Sequence, residues 1–422
     1  MNKWVVRIGL ANLIVFVTVY SFLLYRSNIP VAVNDDELRL EHASIPAGSN
    51  AFDVLQAAAP HVWWPDKQNW ALLNLARDTN WDETLATTLL NSNREALAAW
   101  DAAAKLPDLQ VPEATNFVVL LPYLAVWKDL AEISAIRENF LLRNGHENEA
   151  FDNMLSDIQL SHRMQNSHGV LICYLVSVAV GKIGLGQITH WLGRTHFRAD
   201  QLTNYLQQLS FDPNDNAVAY GNTIKAEYKC LSGTLETMRD GKNNAAITDS
   251  FYSRWWPILP VFNFSQTRAL YINGSKLLLK AAPHYYSQAQ LPDLQSNRPS
   301  LISMFLSGNA AGQMMYYMTM PAVIPSLATK SQVEVQSQAT RVILALRAYA
   351  LVHGRLPSDL SGLVPEFLDK VPTDDFDGQP LRYSAERKIV YSVGKNLKDD
   401  GGDDSRGNPS HPPLDQVYHF DF

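Results

Sequence analysis

Cysteine is scarce in this chain, whose 422 residues include only Cys173 and Cys230. The two do not form a Cys-x-x-Cys pair, and a metal cage built from cysteine is therefore excluded. Cys173 lies in Gly169 to Val180, an apolar run in which a thiol behaves as a small buried side chain. We therefore expect two free thiols, and a disulfide formed in an oxidising compartment is the alternative.

Motifs of common catalytic sites are also lacking. The chain contains no Gly-x-Ser-x-Gly elbow, no His-Glu-x-x-His zinc motif and no Walker A loop. Its 11 histidines are scattered, and His190 and His196 stand six residues apart, a spacing that puts them on different faces of a helix. The sequence therefore names no catalytic residue.

Positive charge is not in excess. The formal net charge is −7, and no basic stripe with interleaved aromatic residues occurs, so no nucleic-acid partner is expected.

Alternating strand patterns are rare, whereas apolar residues at helical spacing recur through most of the chain. With 46% hydrophobic residues, a chain of this length can bury the cores of two or three domains.

The longest apolar run is at the N-terminus, where Ile8 to Tyr25 contains no charged residue. At about 1.5 Å per residue, such a helix nearly crosses the roughly 30 Å hydrocarbon core of a bilayer. Lys3 and Arg7 precede the run and acidic residues follow it, which predicts a cytoplasmic N-terminus. We expect an uncleaved anchor that meets the membrane through residues 8–25. A cleaved signal peptide and a buried helix of a soluble protein are the alternatives.

The middle of the chain is predicted to be helical. Val170 to Val180 is too short to span a bilayer and is expected in the core. Trp255 to Phe262 holds two prolines among aromatic residues, which favours an extended strap over the core; a partner groove or a contact with the membrane interface are the alternatives.

The C-terminal part carries the most consistent local signals. Ser331 to Glu334 has the pattern of a capping box, which predicts a helix start, and Gly354 predicts the stop after His353. Leu346 lies on the apolar stripe of that helix. Two short apolar segments follow, Leu381 to Tyr383 and Ile389 to Val393, and predict an antiparallel hairpin.

These residues resemble the globular head of the major pseudopilin of bacterial type II secretion systems. The resemblance rests on "ALRAYALVHGRLPSDLSGLVPEFLDKVPTDDFDGQPLRY", from Ala345 to Tyr383, and on "YSVG" and "DDGG" further on. It implies a small α+β head outside the cytoplasm. Asp375 and Leu356 replace the proline and the aromatic residue of the family pattern, and no pilin processing signal joins an anchor directly to this helix. The rest of the chain looks like an uncharacterised bacterial envelope protein.

The predicted fold class is mainly α: an irregular helical array with an N-terminal transmembrane helix and a small α+β pseudopilin-like C-terminal module. The predicted domains are a transmembrane anchor at residues 1–26, a tether at 27–49, an all-helical periplasmic domain at 50–328 and the head-like module at 329–422.

One loop of that module is a candidate metal site. Oxygen-bearing side chains surround Gly401 and Gly402, and a flexible oxygen-rich loop suits Ca²⁺, which takes six to eight oxygen ligands. The resemblance also implies calcium here. The candidate ligands are Asn396, Asp399, Asp400, Asp403 and Asp404. A solvated acidic loop without a metal is the alternative.

Together these features predict a single-pass protein of the bacterial inner membrane, with its N-terminus in the cytoplasm and its bulk in the periplasm. Its expected role is envelope interaction or secretion-related assembly with protein partners. An anchored periplasmic enzyme, or a ligand-binding protein with a cleft in the helical domain, is the alternative.

Overall fold

The computed structural model describes residues 3–41, 44–65, 69–210, 212–239, 261–294, 296–404 and 414–422. Within these ranges the chain is mainly helical with a small three-stranded sheet, which confirms the predicted helical class. The helices are α1 (Lys3–Ser27), α2 (Ala51–Ala58), α3 (Asn69–Ala76), α4 (Glu83–Ser92), α5 (Arg94–Ala104), α6 (Tyr123–Arg143), α7 (Glu147–Gln165), α8 (Leu171–Trp191), α9 (Ala199–Gln208), α10 (Pro213–Arg239), α11 (Phe264–Ala281), α12 (Leu301–Leu306), α13 (Ala310–Val323) and α14 (Ser326–His353).

The helix at the N-terminus differs from the others because its apolar side chains are exposed. Phe16 is 65% exposed, and an 18-residue window of the segment Arg7–Ser27 has none of its residues buried by the rest of the chain. The segment is long and apolar enough to cross a membrane, a property that a signal sequence shares.

Helix α8 passes the same test of length and composition, but most of it is buried inside the protein. It packs antiparallel to α7, and two glycines permit the close approach. A Cβ at Gly181 would lie 2.6 Å from Ser161 Oγ, and a Cβ at Gly184 would lie 2.9 Å from Ile158 Cγ1. Cys173 on this helix and Cys230 on α10 are both buried and free, as expected.

The predicted start of the long C-terminal helix is wrong. Helix α14 begins at Ser326, after Pro325, and Ser331 lies inside it, 1% exposed. Proline suits a helix start because its φ is already helical, and Leu327 then adds a fully buried side chain before the expected cap. The predicted end is confirmed, since Gly354 caps the helix at φ +66°.

The predicted hairpin is also confirmed. Strand β1 (Arg382–Ser384) pairs antiparallel with β2 (Ile389–Ser392), with Tyr383 opposite Val390. A third strand that the sequence analysis did not predict, β3 (Gln416–His419), pairs antiparallel with the other side of β2. The sheet order is therefore β1-β2-β3.

The core under this sheet is shared with the preceding helices. One continuous apolar cluster joins Phe151 of α7 and Leu206 of α9 to Leu346 of α14 and Val390 of β2. The predicted domain boundary between residues 328 and 329 lies inside α14. The division into a helical domain and a head-like module stays a prediction, and the shared cluster binds the two parts closely.

Most of the predicted aromatic strap, Trp255 to Pro260, lies outside the described residues. Val261 and Phe262, at its end, are described, and the carbonyl of Val261 accepts a hydrogen bond of 3.0 Å from the amide of Ala311 at the start of α13.

Candidate functional site

The acidic loop after β2 is held by hydrogen bonds among its own residues. The Asn396 Nδ2 group donates to Asp400 Oδ2 at 2.7 Å. Asp399 Oδ1 accepts from the Gly401 amide at 2.9 Å and from the Tyr391 hydroxyl at 3.3 Å. The carboxylates of Asp399 and Asp400 are thus directed to separate donors.

The other two aspartates of the predicted set lie further along the same loop. Asp404 Oδ2 is 2.9 Å from His419 Nε2 on β3, and the backbone carbonyl of Asp403 accepts from the Asp415 amide at 3.2 Å. Across the described part of the chain, no group of three or more acidic, histidine or cysteine side chains is gathered closely enough to hold a metal. The structure brings the five predicted residues into one loop without arranging them as a ligand shell.

Arginines on the neighbouring hairpin offset the negative charge of the loop. Arg387 donates to the carbonyls of Gly401 and Gly402, the second at 2.6 Å. Arg382 Nε lies 3.8 Å from Asp399 Oδ2. Backbone carbonyls are common calcium ligands, so a bound ion would compete with Arg387 for the same oxygens.

Sequence reasoning missed Asp415, which anchors this loop. Its side chain is buried and accepts from the Gly402 amide at 2.7 Å and from the Asp400 amide at 3.4 Å. Burial raises the pKa of Asp415, and the nearby charges of Asp400 and Asp399 raise it further, whereas the two backbone hydrogen bonds oppose the shift. Asp415 is far from the glycines in sequence and carries no motif, so only the pairing of β3 with β2 reveals its role.

The turn before β1 is held by two buried carboxylates. Asp375 forms a buried ion pair with Lys330 of α14, with Nζ–Oδ2 and Nζ–Oδ1 distances of 3.0 and 3.2 Å. Its neighbour Asp374 is fully buried and accepts from Arg382 at 2.7 Å and from Ser392 Oγ at 2.8 Å. These carboxylates fasten the turn to α14 and to the sheet.

A second acidic pair is buried in the helical body. Glu138 of α6 is 1% exposed, and its carboxyl group lies next to that of Asp157 on α7. Burial raises the pKa of Glu138 well above its usual range, the neighbouring Asp157 carboxyl adds to the rise, and Arg137 opposes it. Burial also raises the pKa of Asp157, although Trp100 Nε1 donates to it at 2.6 Å. These groups face the interior, where they affect stability.

A third cluster surrounds Asp78, whose side chain is only 3% exposed. Arg143 contacts Asp78 Oδ1 through Nε at 2.9 Å and Nη2 at 2.6 Å, and His190 Nε2 lies 3.2 Å from Oδ2. His196 instead contacts Glu147 Oε1 at 2.8 Å, so the two histidines belong to different polar clusters. The buried side chain of Asp78 thus links the end of α3 to Arg143 of α6 and to His190 of α8.

Comparisons with family models, with curated proteins and with solved structures find no match to this chain. The likeness to pseudopilin heads accordingly stays a prediction from the residues quoted above.

Proposed function

We propose that this chain is a single-pass protein of the bacterial inner membrane that acts in envelope interaction or secretion-related assembly. Its N-terminus would lie in the cytoplasm and its helical body in the periplasm. The observation that carries this proposal is α1, a 25-residue helix in which an 18-residue apolar window has no buried residue.

The length and exposure of α1 support a membrane-spanning role. At about 1.5 Å per residue the helix is about 37 Å long, enough to cross a hydrocarbon core of roughly 30 Å. Phe16, Leu13 and Ile14 are each more than half exposed. Such a continuous apolar surface is unfavourable in water and favourable in lipid.

The charges beside α1 support the orientation. Lys3 and Arg7 stand at its start, whereas Asp35, Asp36 and Glu37 follow its end. Short flanking segments rich in lysine and arginine stay in the cytoplasm, so the body of the protein would be exported.

The C-terminal region supports the link to secretion or envelope assembly. The Gly354-capped helix, the turn around Asp374 and the β1–β2 hairpin follow the order expected of a pseudopilin head. A head attached to a large helical body, rather than to a pilin stalk, suits contact with envelope proteins more than fibre formation. Under this proposal Ca²⁺ would be held in this loop by the side chains of Asn396, Asp399, Asp400, Asp403 and Asp404.

Reporter fusions test the membrane proposal directly. A reporter that matures only in the periplasm, fused after Phe422, should be active, and the protein should stay in the membrane fraction after alkaline carbonate washing. Replacing Lys3 and Arg7 by glutamate should reduce reporter activity because the orientation signal is lost. An inactive fusion of the unaltered chain, or release by carbonate, would refute the proposal.

Cross-linking tests the assembly role. Cross-linking in intact cells followed by mass spectrometry should recover envelope or secretion proteins on residues of the periplasmic body. Recovery of cytoplasmic proteins alone would contradict it.

A further inference from the structure

We propose that the short helix α12 (Leu301–Leu306) lies in the headgroup region of the same bilayer that α1 crosses, so that the body of the protein rests on the membrane surface. This inference depends on the proposed membrane anchor. It adds a second, non-spanning lipid contact that the length and charge of α1 do not predict.

The first observation is the outward apolar surface of α12. Leu301, Ile302, Phe305 and Leu306 are 59%, 74%, 47% and 52% exposed, whereas Met304 on the opposite side is fully buried. A surface helix of a soluble protein usually places polar residues outward. Here both sides are apolar, so the outward side is suited to an apolar or interfacial environment.

The second observation is the position of α12 beside the end of α1. Gly308, two residues after α12, has φ +74° and approaches the last residues of α1 closely. A Cβ there would lie 2.6 Å from the Ser27 amide nitrogen and 2.7 Å from the Arg26 carbonyl carbon. Since α1 leaves the hydrocarbon core near Tyr25 and Arg26, α12 lies at the level of the lipid headgroups.

Hydrogen bonds hold this arrangement in place. Asn263 Nδ2, at the start of α11, donates to the Ile29 carbonyl at 2.7 Å, and the Val31 amide donates to Ser265 Oγ at 3.0 Å. Asn309, between α12 and α13, accepts through Oδ1 from the Asn263 amide at 2.9 Å and from Thr267 Oγ1 at 2.9 Å. The exit of α1 and the α12–α13 junction therefore belong to one bonded unit, and α12 cannot swing freely away from the membrane.

Lipid is the occupant that these positions favour. Leu24 and Tyr25 at the end of α1 are exposed, and α12 is in contact with α1, so one bilayer can cover both. Arg298, exposed and three residues before α12, is placed to meet phosphate headgroups while the apolar side chains enter the acyl boundary. A single short helix binds lipid weakly by itself, but α1 tethers it at the surface and makes the contact intramolecular.

Depth-dependent quenching of a fluorophore tests the proposal on the full chain in lipid nanodiscs. Three variants each carry one added cysteine for the label: Ile302→Cys on α12, Phe16→Cys within α1, and Val352→Cys on the last turn of α14 as the matched exposed control. The two native thiols are buried, and the unaltered chain measures their background labelling. Lipids with a nitroxide near the headgroup or in the acyl chain serve as quenchers.

We expect strong headgroup-level quenching at position 302, strong acyl-level quenching at position 16, and several-fold weaker quenching at position 352. Quenching at 16 without quenching at 302 would overturn the α12 proposal and leave the anchor intact. Absence of quenching at 16 would refute the anchor itself. Nanodiscs that hold one copy each exclude a second copy of the chain as the cover of α12. Quenching at position 302 that appears only in nanodiscs with several copies would therefore also overturn the proposal.

A charge substitution supplies an independent measurement. With the label at Leu301→Cys, Ile302→Asp together with Phe305→Asp should reduce headgroup quenching to the level of position 352. Both altered side chains are exposed, so the melting temperature should stay close to that of the labelled parent. Unchanged quenching in a folded variant would overturn the role of this face.

Discussion

The buried carboxyl of Glu138 leads to a prediction about the pH dependence of stability. Its side chain is buried on α6, with Asp157 of α7 and Arg137 as the charged groups that act on it. Burial raises its pKa well above the usual 4.5, so the folded protein keeps a proton that the unfolded chain releases. Glu138→Gln replaces the acid by a neutral group of similar shape.

The direction in which the free energy of unfolding changes with pH follows from proton binding. Above the unfolded-state pKa of 4.5, the folded state binds more protons than the unfolded state, so the free energy of unfolding falls as pH rises towards the higher folded-state pKa. One proton contributes a slope of at most about 1.4 kcal/mol per pH unit. The variant lacks this slope at position 138. We therefore expect Glu138→Gln to gain stability over the unaltered protein as pH rises.

The assay is urea unfolding in detergent between about pH 5 and about pH 8, followed by fluorescence of the 10 tryptophans. Glu149→Gln, an exposed position on α7, is the matched control and should leave the pH dependence unchanged. Parallel stability curves for Glu138→Gln and the unaltered protein would show that Glu138 does not hold its proton in the fold.

Further predictions concern the C-terminal part. Leu346→Ala should cost about 2 to 5 kcal/mol, since the side chain is fully buried, and urea unfolding should show one shared transition with the helical body; a small loss would contradict the shared core. Lys330→Ala should cost about 3 to 5 kcal/mol because it leaves Asp375 buried and unpaired, and Lys330→Met with Asp375→Leu should be clearly more stable in the same assay; equal losses would refute the pairing argument. Millimolar Ca²⁺ should raise the melting temperature relative to chelator, and Asp403→Ala with Asp404→Ala should abolish the shift; no shift in the unaltered protein would return the loop to a solvated acidic turn.

Local signals in the sequence determined several elements. The apolar run of α1, the stop at Gly354 and the β1–β2 hairpin each depend on residues close together in the chain. Such features follow from backbone geometry and short-range hydrogen bonds, which neighbouring residues specify. The five oxygen-bearing residues around Gly401 and Gly402 were predicted as candidate ligands from such neighbouring residues. The hydrogen bonds that orient their side chains were not predicted.

Features that depend on residues distant in the chain were set by tertiary contacts. Ser331 to Glu334 has the pattern of a capping box but lies inside α14. The burial of Leu327 extends the helix to the N-terminal side of that pattern. Asp415 joins the acidic loop through the pairing of β3, and Glu138 acquires its raised pKa because α6 and α7 exclude water around it. Desolvation and long-range contact depend on which surfaces meet in the fold, and residue order along one segment does not contain that information.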